Sequence, residues 1–109
     1  MAVVYNITFV ISPDRESDFL GWLRSEAVPV LFASDAGAVN PRLHTVIEAG
    51  GEKPGPEHGL SMALQAEFDS EESAGRWNDE VLPSVLRDFH SSFGPHALFF
   101  TTLLQVVGL

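Results

Sequence analysis

The chain of 109 residues has no cysteine, a single lysine (Lys53) and no uninterrupted hydrophobic run long enough to cross a bilayer. The first absence excludes disulfide frameworks, thiolate metal sites and cysteine nucleophiles. The second belongs to a wider shortage of positive charge: 6 Lys and Arg stand against 15 Asp and Glu, a formal net charge of −9. Nucleic-acid binding needs a basic footprint to neutralise phosphates, and this chain has none. Anionic membrane surfaces repel it as well. The acidity itself reads as a solubility feature. No basic segment precedes the first apolar run, which is interrupted by Asn6 and Thr8 and is too short to span a bilayer. The expectation is a cytoplasmic protein without nucleic-acid or membrane partners.

What is present is an order of patterns. A hydrophobic fraction of 45% suits one globular domain over residues 1–109. The elements read strand, helix, strand, strand, helix, strand, the split βαβ arrangement of ferredoxin-like domains. The fold expected is therefore α+β, βαββαβ, a four-stranded antiparallel sheet with two helices on one face. In the first strand, 3–11, Val3, Tyr5, Ile7, Phe9 and Ile11 form one fully apolar face, the one to meet the helices; Val4, Asn6, Thr8 and Val10 form the other. Ser12-Pro13 opens the first helix, with Ser12 as N-cap and Asp14 and Glu16 at the positive end of its dipole. Phe19, Trp22, Leu23, Glu26 and Val30 lie near one stripe, as do Phe19, Leu23 and Ala27. Pro29 should kink or end the helix, and Ser34-Asp35-Ala36-Gly37 reads as its exit.

Strands are expected near 42–49 and 60–68, joined by a Gly/Pro-rich hairpin loop over 50–59. The second helix should begin with a capping box, Asp69 or Ser70 answered by Glu72, and bend at Pro83 before Gly94-Pro95 stops it. In the last strand, 98–107, Leu98, Phe100, Thr102, Leu104 and Val106 form one face and Phe99, Thr101, Leu103, Gln105 and Val107 the other. The second set is assigned to the sheet face away from the helices, beside Val4, Val10, Val46 and Ala63 and the polar Asn6, Thr8, His44, Ser61 and Gln65. A sheet face in water should be mostly polar. This one is not, which points to a homodimer packed sheet to sheet, to be split by Leu103→Arg.

Tyr5-Asn6-Ile7-Thr8, Trp22-Leu23 followed by Pro29, and Phe93-Gly94 leading to Phe100, Thr102, Leu104 and Val106 together resemble an uncharacterised bacterial domain-of-unknown-function family, best known from Bacteroidetes-type genomes. That family is similar to the dimeric α+β barrel proteins, which include cofactor-free monooxygenases of antibiotic biosynthesis, haem-degrading enzymes and small isomerases. The resemblance implies a dimeric α+β barrel. It transfers no catalytic residue: the place before the helix-one proline where the family often has histidine holds Ala27, and Thr101, Leu103 and Gln105 stand where its last strand often carries charges.

Other constellations are weak. His44 and Glu48 share a strand face but four strand residues span roughly 13 Å, too far to chelate one ion. His58, His90 and His96 make no ligand-spacing motif, so no metal is expected. Asp88, His90, Ser91 and Ser92 point to different sides of a helix and lack a nucleophile elbow. Gly50, Gly51 and Gly55 sit in a hairpin and not between a strand and a helix, so no nucleotide or flavin cofactor has a cradle. The remaining ligand-binding candidates are Tyr5, Trp22 and Trp77 as aromatic walls and Asn6, Arg42, His44 and Gln65 as polar groups, with the restriction that Tyr5 and Asn6 point to opposite faces. The reading is a homodimeric small-molecule binding or interaction module without a cofactor. The alternatives are a cofactor-free monooxygenase-like or isomerase-like enzyme acting on a small organic substrate, and a purely structural or regulatory dimer.

Overall fold

Strand β1, Val3–Ile11, is the centre of the molecule. The computed structural model describes residues 2–47, 59–94 and 97–109. Strand β2 spans Val39–Thr45, β3 Leu60–Phe68 and β4 Leu98–Gln105. They form one antiparallel sheet in the order β2-β3-β1-β4. The helices are α1 (Glu16–Trp22), α2 (Val28–Leu31), α3 (Glu71–Glu80) and α4 (Leu82–Phe93). This is the ferredoxin-like arrangement that the pattern order implies. The hairpin loop over 50–58, with His58, and likewise Glu48 and His96, lie outside the described residues.

The alternation in β1 and β3 translates directly into burial. Val3, Tyr5, Ile7, Phe9 and Ile11 are buried, as are Leu60, Met62, Leu64, Ala66 and Phe68 from β3. Against them pack Phe19, Trp22, Leu23, Ala27 and Leu31 from the first helical stretch and Ala74, Trp77, Leu82, Val85 and Phe89 from the second. Among the described residues no charged or strongly polar side chain is buried. Five rings make the densest part of this core: Phe9 lies 4.9 Å from Phe89 and 5.2 Å from Phe19, and Trp22 and Phe93 complete the cluster.

Pro29 does not end the first helical stretch. Its ring cannot tolerate the carbonyl four residues back, and it offers no N–H. The chain answers with a π turn over Leu23–Ala27, in which the Val28 N–H bonds to the Leu23 carbonyl, and α2 then continues through Pro29. That extra residue shifts the helical phase, so Ala27 and Leu31 are buried while Glu26 and Val30 face outward. The Ser12 side chain does not cap; its hydroxyl donates to the Asp14 carboxylate. In α3 the N-cap is Ser70, whose Oγ accepts from the Ser73 N–H at 3.1 Å. The residue at N3 is therefore Ser73, and no reciprocal glutamate closes the box. The bend expected at Pro83 falls at Val81, which puts Pro83 in the first turn of α4 where its missing N–H costs nothing.

Strand β2 starts earlier than the sequence pattern suggests. A bulge between Val39 and Arg42 holds Asn40 at φ +55°, and the Asn40 amide donates to Glu67 at 2.7 Å. Pro41 is accommodated because β2 is an edge strand.

The register of β4 corrects one sequence reading. Leu103 lies opposite Tyr5, Thr101 opposite Ile7 and Phe99 opposite Phe9, so these residues share the helix side. The outer face receives Leu98, Phe100, Thr102 and Leu104, opposite Val10, Thr8, Asn6 and Val4. Val107 lies beyond the strand. The outer face is nevertheless as apolar as expected: Leu98 is 51%, Phe100 58%, Leu104 46% and Val46 43% exposed.

Candidate functional site

The seven sequence candidates divide between the two sides of the sheet. On the outer face, Arg42, Gln65, Asn6 and Thr102 form one cross-strand row, each directly paired with the next. His44 occupies the next row, opposite Ala63. The Asn6 amide donates to its neighbour Thr8 at 3.1 Å. On the helix side, Trp22 and Trp77 do not meet. Trp22 belongs to the five-ring cluster and donates its indole N–H to Asp88 at 2.7 Å. Trp77 is fully buried, donates to the Leu31 carbonyl at 2.8 Å, and packs between Phe68 and Tyr5 with centroids 5.2 and 5.1 Å away. Both indoles are thus held by packing and by a satisfied N–H. Each borders a cleft with charged residues in its lining: about 220 Å³ beside Trp22, Glu26 and Asp88, and about 210 Å³ beside Trp77, Asp35 and Arg76.

Only Tyr5 of the seven reaches a cleft with a different character. This cleft, of about 260 Å³, opens between α3 and β4. Its helix wall is Ala74, Gly75 and Asn78, and its strand wall is Thr101 and Leu103, with Thr102 at the margin. Its origin is steric. Ala74 and Gly75 project almost nothing from α3, and a Cβ added at Gly75 would meet no atom within 4 Å. Strand β4 is an edge strand that the helices do not fully cover, so Leu103 on the helix side stays 46% exposed.

The polar end of this cleft is a relay. Tyr5, otherwise buried, donates its hydroxyl to Asn78 Oδ1. Asn78 Nδ2 in turn donates to the Asp79 carboxylate at 3.1 Å. Thr101 adds a hydroxyl nearby. None of the seven lining residues is charged. The set consists of groups that orient a molecule by hydrogen bonds, not an acid–base pair with a nucleophile.

Sequence reasoning did not single out Asn78, and it placed Thr101 on the other face. A signal for Asn78 existed: it follows Ala74 by one turn, so an amide sits at the edge of the apolar stripe of its helix.

The chain belongs to the family DUF4286, a domain of unknown function, whose model matches residues 2–107. No curated protein matches it. Among solved structures it is similar to a DABB-family protein with a ferredoxin-like fold from Mesorhizobium loti, at TM-score 0.66 and 16% identity over 98% of each chain. It is also similar to a dimeric ferredoxin-like protein from an uncultured marine organism, at TM-score 0.65 and 17% identity, covering 98% of this chain and 96% of that one. A third is a monooxygenase of Streptomyces coelicolor in complex with nanaomycin D, at TM-score 0.65 and 15% identity, covering 99% and 89%. At these identities the likeness is one of fold. Among the described residues no helix is long and apolar enough to cross a membrane.

Proposed function

We propose that this protein, acting as one domain over residues 1–109, is a homodimeric module that binds a small organic molecule in the cleft between α3 and β4. The observation that carries the binding reading is the Tyr5 hydroxyl. Among the described residues, the core buries no other side chain that carries an oxygen, and this one meets Asn78 at a cleft whose described lining is uncharged. A concave site with apolar walls and a few convergent polar groups is the usual form of a small-molecule pocket. That a fold neighbour from Streptomyces coelicolor was solved with a ligand, nanaomycin D, is in keeping with this.

The second copy is assigned to the outer sheet face. Two chains of net charge −9 repel each other unless the surfaces that meet carry little charge. Of the paired outer-face residues, only Arg42 and Glu67 are charged, while Leu98, Phe100 and Leu104 are exposed. The dimeric marine neighbour is in keeping with such an assembly.

A second reading, a cofactor-free monooxygenase-like or isomerase-like enzyme, is favoured by the monooxygenase among the fold neighbours and disfavoured by the cleft's lack of a proton-transfer pair. Native mass spectrometry of protein purified from its host tests the binding reading. The expected result is a dimer carrying a small molecule that Leu103→Trp, which fills the cleft mouth, no longer retains. A ligand-free monomer would overturn it. Oxygen uptake with a hydroquinone, abolished by the same substitution, would instead establish the enzyme.

A further inference from the structure

We infer that the α3–β4 cleft selects an uncharged ligand that donates a hydrogen bond, and that Tyr5 Oη is the acceptor that reads it. The inference rests on the cleft being the ligand site and adds the ligand's chemical class. It follows from a chain of donors whose direction is fixed at one end.

The Asp79 carboxylate is an acceptor only, so the group it holds at 3.1 Å must be the amide nitrogen of Asn78. That turns Asn78 Oδ1 toward Tyr5, and a carbonyl oxygen can only accept. The single hydrogen of the Tyr5 hydroxyl is therefore committed to Asn78. What the phenol still offers is a lone pair, and only an O–H or N–H can use it. At Tyr5 Oη, a ligand whose polar atom is an ether or a carboxylate would bring acceptor against acceptor. A carboxylate or phosphate would also find no counter-charge among the described lining residues, none of which is charged, and desolvating an ion there is unfavourable. The rest of the wall, Ala74, Gly75 and Leu103, suits a flat apolar body.

Three probes with one ring system separate these cases: 2-naphthol, 2-methoxynaphthalene and 2-naphthoate, titrated into isotope-labelled protein while the amide resonances of Gly75 and Leu103 are followed. With the native chain, 2-naphthol should bind about five- to tenfold more tightly than either analogue, the usual worth of one neutral hydrogen bond. Tyr5→Phe keeps the ring and should remove that preference without changing the affinity for 2-methoxynaphthalene. Asn78→Leu frees the Tyr5 hydrogen to be donated, so the ether should gain on the naphthol. A rise in the ether's own affinity is an outcome that general loosening of the cleft would not produce. Equal affinity for the naphthol and its ether, or a preference that survives Tyr5→Phe, would overturn the donor rule and leave the cleft standing. No shift at α3 or β4 with any probe would overturn the cleft reading and this inference together.

Discussion

Phe100→Arg is the sharpest perturbation of the proposed assembly. Phe100 is 58% exposed on the outer face, with Leu98 beside it and Leu104 further along the same strand face, beyond Thr102. Full burial of a phenylalanine side chain is worth roughly 1.5–3 kcal/mol, so covering the exposed share gives about 1–2 kcal/mol per copy. A two-fold interface counts it twice, about 2–4 kcal/mol per dimer. At about 1.4 kcal/mol per tenfold in affinity, losing that contact weakens association by roughly a hundredfold. The introduced guanidinium adds the cost of a desolvated charge facing its own symmetry mate. Sedimentation at micromolar concentration should therefore show dimer for the native chain and monomer for Phe100→Arg. Far-UV circular dichroism should stay unchanged, since the site lies outside the core. Leu103→Arg is the matched control: the same strand, the next face, and an expected dimer. An unaltered sedimentation profile for Phe100→Arg, or dissociation by Leu103→Arg with Phe100→Arg inert, would refute the assignment of the outer face.

Other outcomes follow from the packing. Phe89→Ala removes the ring that joins Phe9, Phe19 and Trp22 and should destabilise the fold by about 3–5 kcal/mol in urea unfolding. Trp22→Phe keeps an aromatic body but loses the bond to Asp88, costing about 1 kcal/mol; Asp88→Ala should cost the same, and the double variant little more. Gly21→Ala and Gly75→Ala place a methyl in open space on helices and should each raise stability by about 0.5–1 kcal/mol, visible as a higher Tm. Gly37→Ala should lower it by at least 1 kcal/mol, because φ is +86° and the new Cβ would stand 3.1 Å from Ser73 Oγ.

Where the sequence was legible, the reason was polarity contrast. In β1, Asn6 and Thr8 interrupt one face and nothing interrupts the other, so the buried side is readable without partners. In β4 both faces are apolar, Phe99 and Leu103 against Phe100 and Leu104, and alternation alone does not choose between them. The choice is made by pairing with β1, a contact between residues about a hundred positions apart such as Val3 and Gln105. Helix phase beyond Trp22 was hidden for a related reason: the π turn that Pro29 demands adds one residue to a count that assumes a regular repeat. The cleft joins both difficulties. Tyr5 and Asn78 are 73 residues apart, and the space between α3 and β4 exists because of side chains that are small, a feature that apolar periodicity does not register.

The central position of β1 also bears on how the chain reaches its native state. Its backbone groups must be satisfied on one flank by β3 and on the other by β4, and the second pairing closes nearly the entire chain into a loop. Such a closure is entropically expensive and slow compared with forming local helices. Until it happens, a long hydrophobic strand presents a raw hydrogen-bonding margin to any neighbour. A truncation or frameshift that removes β4 would therefore leave an aggregation-prone species and not a slightly shorter version of the same protein.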